Sequence, residues 1–282
     1  MIKVMSFNLR YGTAEDGINS WNSRRTMALD RIHAFGPDLL GVQECQAAEQ
    51  LEYVQQHLPG YGCAGVARGG SGPWPAKLVN PADLEMTAVF YRLAMFTLVE
   101  QATFWLSKTP AVAGSKSWGS MYPRTVTWVR LQSRQPPFAE LCFFNTHFDH
   151  FSWKARREAA KMVCAQMLTK AAVPMIVVGD FNTLKDYGTY NTFVDAGFRD
   201  AYRQLHAPDR KQEGSFHDYG RTAPMAIDWI FVSKQFEVVE AAIDRFHAGD
   251  RYPSDHYPVT AVLRCPHQGS PADQAAGTAP DC

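Results

Sequence analysis

The sequence predicts an α/β fold in which two packed β-sheets carry helices on their outer faces. Short apolar runs rich in Val, Ile, Phe and Thr are typical of strands, and segments with helical spacing of apolar residues lie between them. Sheets that alternate with helices in this way pack as a layered sandwich. At 282 residues the chain is within the range of one large domain.

Nine runs are predicted to be strands and four segments to be helices. The predicted strands are 2–8, 38–43, 87–91, 97–105, 124–131, 140–146, 174–179, 227–232 and 257–263. The predicted helices are 23–35, 46–57, 152–171 and 187–196. Ser23 and Ser152 stand at the starts of two of these helices, where serine can cap the first turn.

Two segments lack these patterns. Residues 66–84 are rich in Gly and Pro and have no periodicity, so we expect a long loop of the kind that often borders a site. Residues 266–282 are poor in apolar side chains and are predicted to be a disordered tail. The folded domain is therefore expected to span residues 1–265.

Composition narrows the classes of function. Lys plus Arg equal Asp plus Glu at 28 each, so no net positive field favours a long polyanion. The six cysteines are scattered without zinc or redox spacing, and we expect most to be small buried hydrophobes. No apolar run approaches the roughly 20 residues that span a bilayer. The N-terminus lacks signal-peptide features, which predicts a cytoplasmic protein as the chain stands, with secretion open if a leader was removed.

Polar side chains follow apolar runs at five places, where a strand end would display them on a rigid scaffold. They are Asn8, Glu44, His147, Asp180 with Asn182, and Asp228 with Ser254-Asp255-His256. Each alone has an ordinary explanation, because such residues also make turns, helix caps and solvated loops. Together they supply oxygen ligands for a hard cation, a base for water and donors for phosphoryl oxygens, which is the chemistry of phosphoester hydrolysis.

In this order the blocks resemble the endonuclease/exonuclease/phosphatase superfamily. The matching blocks are Asn8, Gln43-Glu44, His147, Gly179-Asp180-Phe181-Asn182, Asp228 and Ser254-Asp255-His256. Two further stretches, 104–107 and 124–128, resemble the small bacterial hydrolases of this superfamily. The resemblance covers roughly residues 2–264 and implies a four-layer, DNase I-like sandwich with its site at one rim.

The resemblance also implies roles for individual residues. Three resemble ligands of a Mg²⁺ or Mn²⁺ ion, namely Asn8, Glu44 and Asp255. Five resemble catalytic residues, namely His147, Asp180, Asn182, Asp228 and His256. Among these, Asp180 is expected to act on the attacking water and Asn182 to position water and phosphate. Asp228 is expected to hold the ring of His256, since a carboxylate raises the pKa of an adjacent imidazole.

Three more side chains are candidates for substrate binding: Arg124, Glu85 and Asp149. Arg124 opens a strand, where it fits a phosphate contact and a salt bridge equally well. Glu85 is a candidate partner that would raise the pKa of His147. Strand alternation places Asp149 on the same side as His147.

Two aromatic and basic groups are better explained by packing than by function. Trp21, Arg24 and Arg25 fit a helix start with solvated arginines better than a pocket lining. Tyr187, Tyr190 and Phe193 fit core or loop packing better than a platform for stacking bases.

The function predicted from these residues is metal-dependent hydrolysis of a phosphodiester or phosphomonoester by activated water, with a small substrate favoured. Nucleic acid and a phospholipid headgroup remain alternative substrates, because loops decide specificity. Val177-Val178 and Tyr252-Pro253 stand where inositol 5-phosphatases carry tryptophan-containing blocks, which disfavours that subclass. A non-catalytic binding module is disfavoured because Glu44, Asp180 and His256 are all present. Oligomeric state is not predicted.

Overall fold

The computed structural model describes residues 1–70, 84–135, 139–170 and 172–265. Over these residues the strands are β1 (Ile2–Asn8), β2 (Leu39–Gln46), β3 (Tyr61–Ala64), β4 (Glu85–Arg92), β5 (Phe96–Trp105), β6 (Thr125–Ser133), β7 (Glu140–His147), β8 (Met175–Asp180), β9 (Arg199–Asp200), β10 (Asp228–Val232), β11 (Glu237–Ile243) and β12 (Val259–Arg264). The α-helices are α1 (Trp21–Phe35), α2 (Glu49–His57), α3 (Trp153–Leu168) and α4 (Gly188–Asp195).

The strands form two six-stranded sheets of mixed direction. One has the order β11-β12-β1-β2-β4-β3, and the other has the order β5-β6-β7-β8-β10-β9. Each sheet has one parallel pair near its centre, β1 with β2 and β7 with β8, and its other neighbouring strands are antiparallel. Because parallel neighbours end on the same side, each pair brings two strand ends to one rim.

Three apolar cores separate four layers. The central core lies between the sheets and includes Val4, Val89, Phe143 and Val178. On the outer face of the first sheet, α1 and α2 supply residues such as Leu29 and Val54. On the outer face of the second, α3 and α4 supply residues such as Val163 and Phe193. The predicted four-layer sandwich of two sheets flanked by helices is therefore confirmed.

All nine predicted strands and all four predicted helices are present, with ends shifted by a few residues. Strands β3, β9 and β11 were not predicted. β3 and β9 have only four and two residues and lie at sheet edges. β11 pairs with β12 through a register shift between Val238 and Glu240, and such a bulge breaks the alternation that marks a strand.

Two of the sequence expectations concern segments that the structure describes only in part or not at all. Of the predicted loop 66–84, residues 71–83 lie outside the described residues, and so does the predicted tail 266–282. Four of the cysteines are buried and Cys63 is partly buried, as expected of small hydrophobes. None of the helices in the described ranges is long and apolar enough to cross a membrane.

A close approach between the sheets supports the rim where the site lies. A Cβ atom added to Gly41 would stand 2.4 Å from Val178 Cγ2, so only glycine fits there. Beside it the Gln43 side-chain amide donates to Asn145 Oδ1 at 2.6 Å, and Asn145 donates to the backbone carbonyls of Val42 and Ala88. This buried amide pair joins β2 to β7 directly below the residues that end these strands.

Candidate active site

A pocket of about 800 Å³ lies at the rim where β1, β2, β7 and β8 end. Eight of the sequence-predicted residues line it together: Glu44, Glu85, Arg124, His147, Asp180, Asn182, Asp255 and His256. They come from strands that are far apart in sequence, and the sheet topology brings them to one place. The sheet topology therefore brings these side chains into one pocket, and their roles stay predictions.

Glu44 is held in a conformation that few residues adopt. Its φ is 60°, in the left-handed region, and it lies where the register between β2 and β4 shifts, between Val42 and Cys45. Its Oε1 accepts a hydrogen bond from the Asn8 amide at 3.1 Å, and its Oε2 accepts one from Tyr11 N at 3.2 Å. A non-glycine residue in such a conformation costs energy and is typical of functional sites.

Asp180 lies at the centre of the cluster. It pairs with His147 in the β7–β8 register and with Asp228 in the β8–β10 register. His147 Nε2 lies 3.5 Å from Asp180 Oδ2, and His256 Nε2 lies 3.8 Å from the same oxygen. Asn8 donates to this oxygen at 3.1 Å. One carboxylate oxygen is thus surrounded by two imidazoles and an amide.

The second carboxylate of the cluster holds His256. His256 Nδ1 lies 2.7 Å from Asp228 Oδ2, and both side chains are buried. Burial lowers the pKa of His256, but the charge and hydrogen bond of Asp228 outweigh it and raise the pKa to about 10. Asp228 therefore holds the ring of His256 through Nδ1, and Nε2 is the nitrogen directed at the cluster.

The other titratable groups are shifted in different directions. Burial and the Asp228 carboxylate raise the pKa of Asp180 to about 7. Burial and the positive charge of Arg124 lower the pKa of His147 well below its ordinary value. The two imidazoles are therefore not equivalent, because His256 is the charged one near neutral pH and His147 is neutral. Perturbed groups gathered in one cleft are typical of a catalytic site.

The donor set fits a hard divalent cation. Glu44, His147 and Asp180 each place one ligand atom within 4.8 Å of the others. Burial raises the pKa values of Asp180 and Asp255, and the Glu44 carboxylate adds to both shifts. A cation bound among these acids would offset that repulsion.

Two predicted metal ligands have protein partners of their own. The Asn8 amide nitrogen faces Glu44 and Asp180, and its Oδ1 accepts from Arg10 N at 2.9 Å. Asp255 Oδ2 lies 3.8 Å from Arg10 Nε, and burial raises the pKa of this carboxyl. Asn8 therefore contacts both Glu44 and Asp180, and the metal roles of Asn8 and Asp255 stay predictions.

Asn182 also has a left-handed backbone, with φ of 50°. Its backbone N donates to Asp180 Oδ1 at 2.9 Å, and its side-chain amide donates to the Phe148 carbonyl at 3.0 Å. These bonds fix both Asn182 and the Asp180 carboxylate. Asn182 lines the pocket, as its predicted role requires.

Two sequence interpretations need correction. Arg24 is only 2% exposed, and its guanidinium donates to the backbone carbonyls of Leu9, Arg10, Asn19 and Pro253. It is therefore neither a solvated arginine nor a pocket residue, but a buried tie between the end of β1 and the segment that carries Asp255. Trp21 beside it is likewise buried, at 3% exposure.

The predicted pairing of Glu85 with His147 is also wrong. Glu85 receives two hydrogen bonds from Arg68, at 2.8 and 2.9 Å, and the carboxylate nearest to His147 is that of Asp180. Arg68 lies near the start of the predicted loop 66–84, and its backbone N donates to the Glu85 carbonyl at 2.8 Å. The bidentate pair therefore engages both oxygens of the Glu85 carboxylate. Glu85 still lines the pocket as one half of an ion pair.

Asp149 holds two loops together rather than facing substrate. Its Oδ1 accepts from the backbone N of Phe151 and Ser152, and its Oδ2 accepts from Ser120 Oγ and Met121 N. These four donors occupy the carboxylate. The predicted contact of Asp149 with substrate therefore has no support in the described residues.

Arg124 stands at the wall of the pocket and is 5% exposed. Its Nη2 donates to His150 Nδ1 at 2.9 Å, whereas Nε and Nη1 are buried without a hydrogen-bond partner among the described residues. Its Nε lies 4.0 Å from Asp149 Oδ2. A cation with spare donors beside the acids is suited to a phosphoryl group.

Several pocket residues were missed by sequence reasoning: Arg10, Tyr11, Arg68, Tyr122, His150, Phe216, Met225 and Ile227. Arg10 carried a usable signal, because it follows Asn8 at the same strand end. The last three are apolar; Phe216 and Met225 come from segments that had no predicted chemistry, and Ile227 directly precedes Asp228. Tyr190 and Phe193 pack in the core as predicted, and Tyr187 is 54% exposed.

Comparisons with known proteins agree with this geometry. The model of a family described as "Endonuclease/Exonuclease/phosphatase family" matches residues 5–256. A crystal structure of a protein of that family from Bacteroides thetaiotaomicron is 32% identical, with 93% of this chain and 97% of that chain covered and a TM-score of 0.81.

Two other structures carry more specific names. A mannosyl-6-phosphatase of Bacteroides thetaiotaomicron is 32% identical, with 94% of this chain and 100% of that chain covered and a TM-score of 0.81. The catalytic domain of human nocturnin, with a bound sulfate, is 22% identical, covers 93% and 94%, and has a TM-score of 0.72. At that lower identity nocturnin shows likeness of fold alone.

Proposed function

This chain belongs to the endonuclease/exonuclease/phosphatase family, and on that premise we propose that it hydrolyses a compact phosphate ester with water in the presence of Mg²⁺ or Mn²⁺. The observation that carries the proposal is that His147 and His256 both lie within 4 Å of Asp180 Oδ2, beside Glu44. A base, a charged imidazole and a cation-binding acid in one pocket are the parts that this reaction needs.

In the proposed reaction, the water oxygen forms a bond to phosphorus while the ester oxygen on the opposite side leaves. Asp180 takes the proton of the attacking water, and a pKa of about 7 suits a base that works near neutral pH. Asn182 holds that carboxylate through its backbone N. The leaving oxygen accepts a proton to complete the alcohol.

Charge on the phosphoryl oxygens is offset from two sides. His256, kept protonated by Asp228, offers Nε2–H, and neutral His147 contributes a further hydrogen-bonding group. Glu44, together with the predicted ligands Asn8 and Asp255, would hold the divalent ion, which would supply Lewis-acid stabilisation when bound. Arg124 adds guanidinium donors at the pocket wall.

A small substrate is favoured over a long nucleic acid. The chain has no net charge, so no overall positive field favours a duplex that carries many phosphates. The similarity to a mannosyl-6-phosphatase over nearly the whole chain supports a sugar phosphate as the first natural class to test.

The proposal is tested by a hydrolysis screen with Mg²⁺ or Mn²⁺. The substrates are p-nitrophenyl phosphate, bis-p-nitrophenyl phosphate, mannose 6-phosphate, plasmid, oligonucleotide and sphingomyelin, and Asp180→Asn serves as the matched inactive variant. We expect turnover of a small ester that the variant loses by a factor of about 10² or more. Equal rates for both proteins on every substrate would remove Asp180 from the reaction, and turnover confined to plasmid would indicate a nuclease.

A further inference from the structure

A surface that the proposed reaction does not use lies beside the pocket. It is formed by residues 106–122 and 150–157, which we call the aromatic-basic rim. The two segments are joined by hydrogen bonds, since Ser152 Oγ donates to the Trp118 carbonyl at 2.7 Å and Asp149 next to the second segment accepts from Met121 N at 3.0 Å. They therefore present one continuous surface.

The rim exposes four large apolar side chains, two of which are adjacent in sequence to pocket residues. The four are Val112, Met121, Phe151 and Trp153, with exposed fractions of 56%, 46%, 72% and 67%. Met121 directly precedes Tyr122, and Phe151 directly follows His150, and both Tyr122 and His150 line the pocket. Exposed apolar groups gathered around a site mark a contact surface, whereas isolated ones need no explanation.

The rim is also uniformly basic. Neither segment contains an acidic residue, and together they carry Lys108, Lys116, Lys154, Arg156 and Arg157. All of these are exposed except Arg156, which is partly buried and donates to the Asp149 carbonyl. The carboxylates nearest in sequence are already engaged, because Asp149 is buried among four donors and Glu158 pairs with Lys161. In a chain of zero formal charge, this is a local concentration of positive charge.

We propose that the aromatic-basic rim docks the protein onto an anionic phospholipid surface, with the pocket opening at that interface. Exposed Trp and Phe beside Lys and Arg are the combination that lies at the boundary between headgroups and acyl chains. Single-stranded nucleic acid would use aromatic faces and cations, but Val112 and Met121 offer no flat face on which a base could stack. The proposal does not depend on which ester the pocket hydrolyses.

Sedimentation with lipid vesicles tests the proposal on the full chain. One set of vesicles is phosphatidylcholine, and the other is phosphatidylcholine mixed with phosphatidylglycerol. Each cation near an anionic surface contributes about fivefold to affinity, so we expect at least about tenfold tighter binding to the mixed vesicles. Phe151→Ser combined with Trp153→Ser should weaken this binding by about tenfold or more, because two aromatic side chains no longer leave water.

The control is Val99→Ser combined with Leu205→Ser, which removes two apolar side chains outside the rim that are 49% and 46% exposed. It should bind vesicles as the unchanged protein does. If p-nitrophenyl phosphate is hydrolysed at all, every variant should hydrolyse it at the unchanged rate. Lack of hydrolysis would contradict the proposed function, and lack of vesicle binding would contradict the docking surface, so the two results are distinguishable. Absence of binding to mixed vesicles, or equal binding by the rim variant and the control, overturns the proposal. Loss of oligonucleotide binding alone in the rim variant would assign the surface to nucleic acid instead.

Discussion

Replacing Asp228 with Asn tests the charge state on which the proposed reaction depends. Asn has the shape of Asp but no charge, so the ring of His256 keeps a neighbour at about the same place. The pKa of His256 should then fall from about 10 towards its ordinary value of 6.5. At pH 8 a pKa near 10 leaves about 99% of the ring protonated and a pKa near 6.5 leaves about 3%, so kcat should drop roughly thirtyfold or more.

The assay is kcat against pH on the best small ester, from about pH 6 to 10, at saturating metal. In the unchanged protein activity should persist to alkaline pH, whereas in Asp228→Asn it should decline from near neutral pH. Asp244→Asn is the matched control, because Asp244 also forms an ion pair, with Arg31 Nε at 2.8 Å, but does not line the pocket. An unchanged pH profile in Asp228→Asn would refute the reasoning. A double variant with His256→Ala should lose little more than His256→Ala alone, since the two residues act as one unit.

Three further predictions follow from the same geometry. Chelation should abolish turnover, and Glu44→Gln should weaken the metal dependence by at least about tenfold, measured as the concentration of Mg²⁺ or Mn²⁺ that restores half of the rate. Lys185→Met should lower the free energy of unfolding by about 3–5 kcal/mol in urea titrations. The reason is that Lys185 is 6% exposed and bridges two buried acids, Asp200 and Glu213. As a control, Lys161→Met, which breaks an exposed ion pair, should change the free energy of unfolding by less than about 1 kcal/mol. Between about 50 and 200 mM salt, kcat/KM should fall about tenfold or less, whereas a protein with 6–10 phosphate contacts would lose about 10³–10⁵ in affinity.

The strand ends could be predicted because they depend on local patterns. Asn8, His147 and Asp180 each terminate an apolar run, and a run of that kind becomes a strand wherever it pairs. Their meeting could not be derived from local patterns alone. The hydrogen bond between Asn8 and Asp180 joins residues 172 positions apart, and only the resemblance to a known family indicated that they share a site.

Arg24 and Arg68 show where local patterns fail. Both arginines lie in segments that look solvent-exposed, one at a helix start and one in a Gly-rich stretch. In the structure the buried guanidinium of Arg24 donates to four backbone carbonyls, one of them that of Pro253, 229 positions away, and buried Arg68 pairs with Glu85, 17 positions away. Burial of a charge requires partners, and those partners are set by tertiary packing that periodicity does not encode.

The backbone around the pocket has an unfavourable conformation at three positions. Arg10, Glu44 and Asn182 line the pocket and all have positive φ without being glycine. Each costs on the order of 1 kcal/mol or more, so the conformations persist only where surrounding bonds outweigh that cost. Those bonds are visible: Arg10 N donates to Asn8, Glu44 accepts from Tyr11 N, and Asn182 N donates to Asp180. The same contacts that hold the strained backbone therefore fix the acidic side chains, which is why the oxygens of the cluster are placed before any substrate arrives.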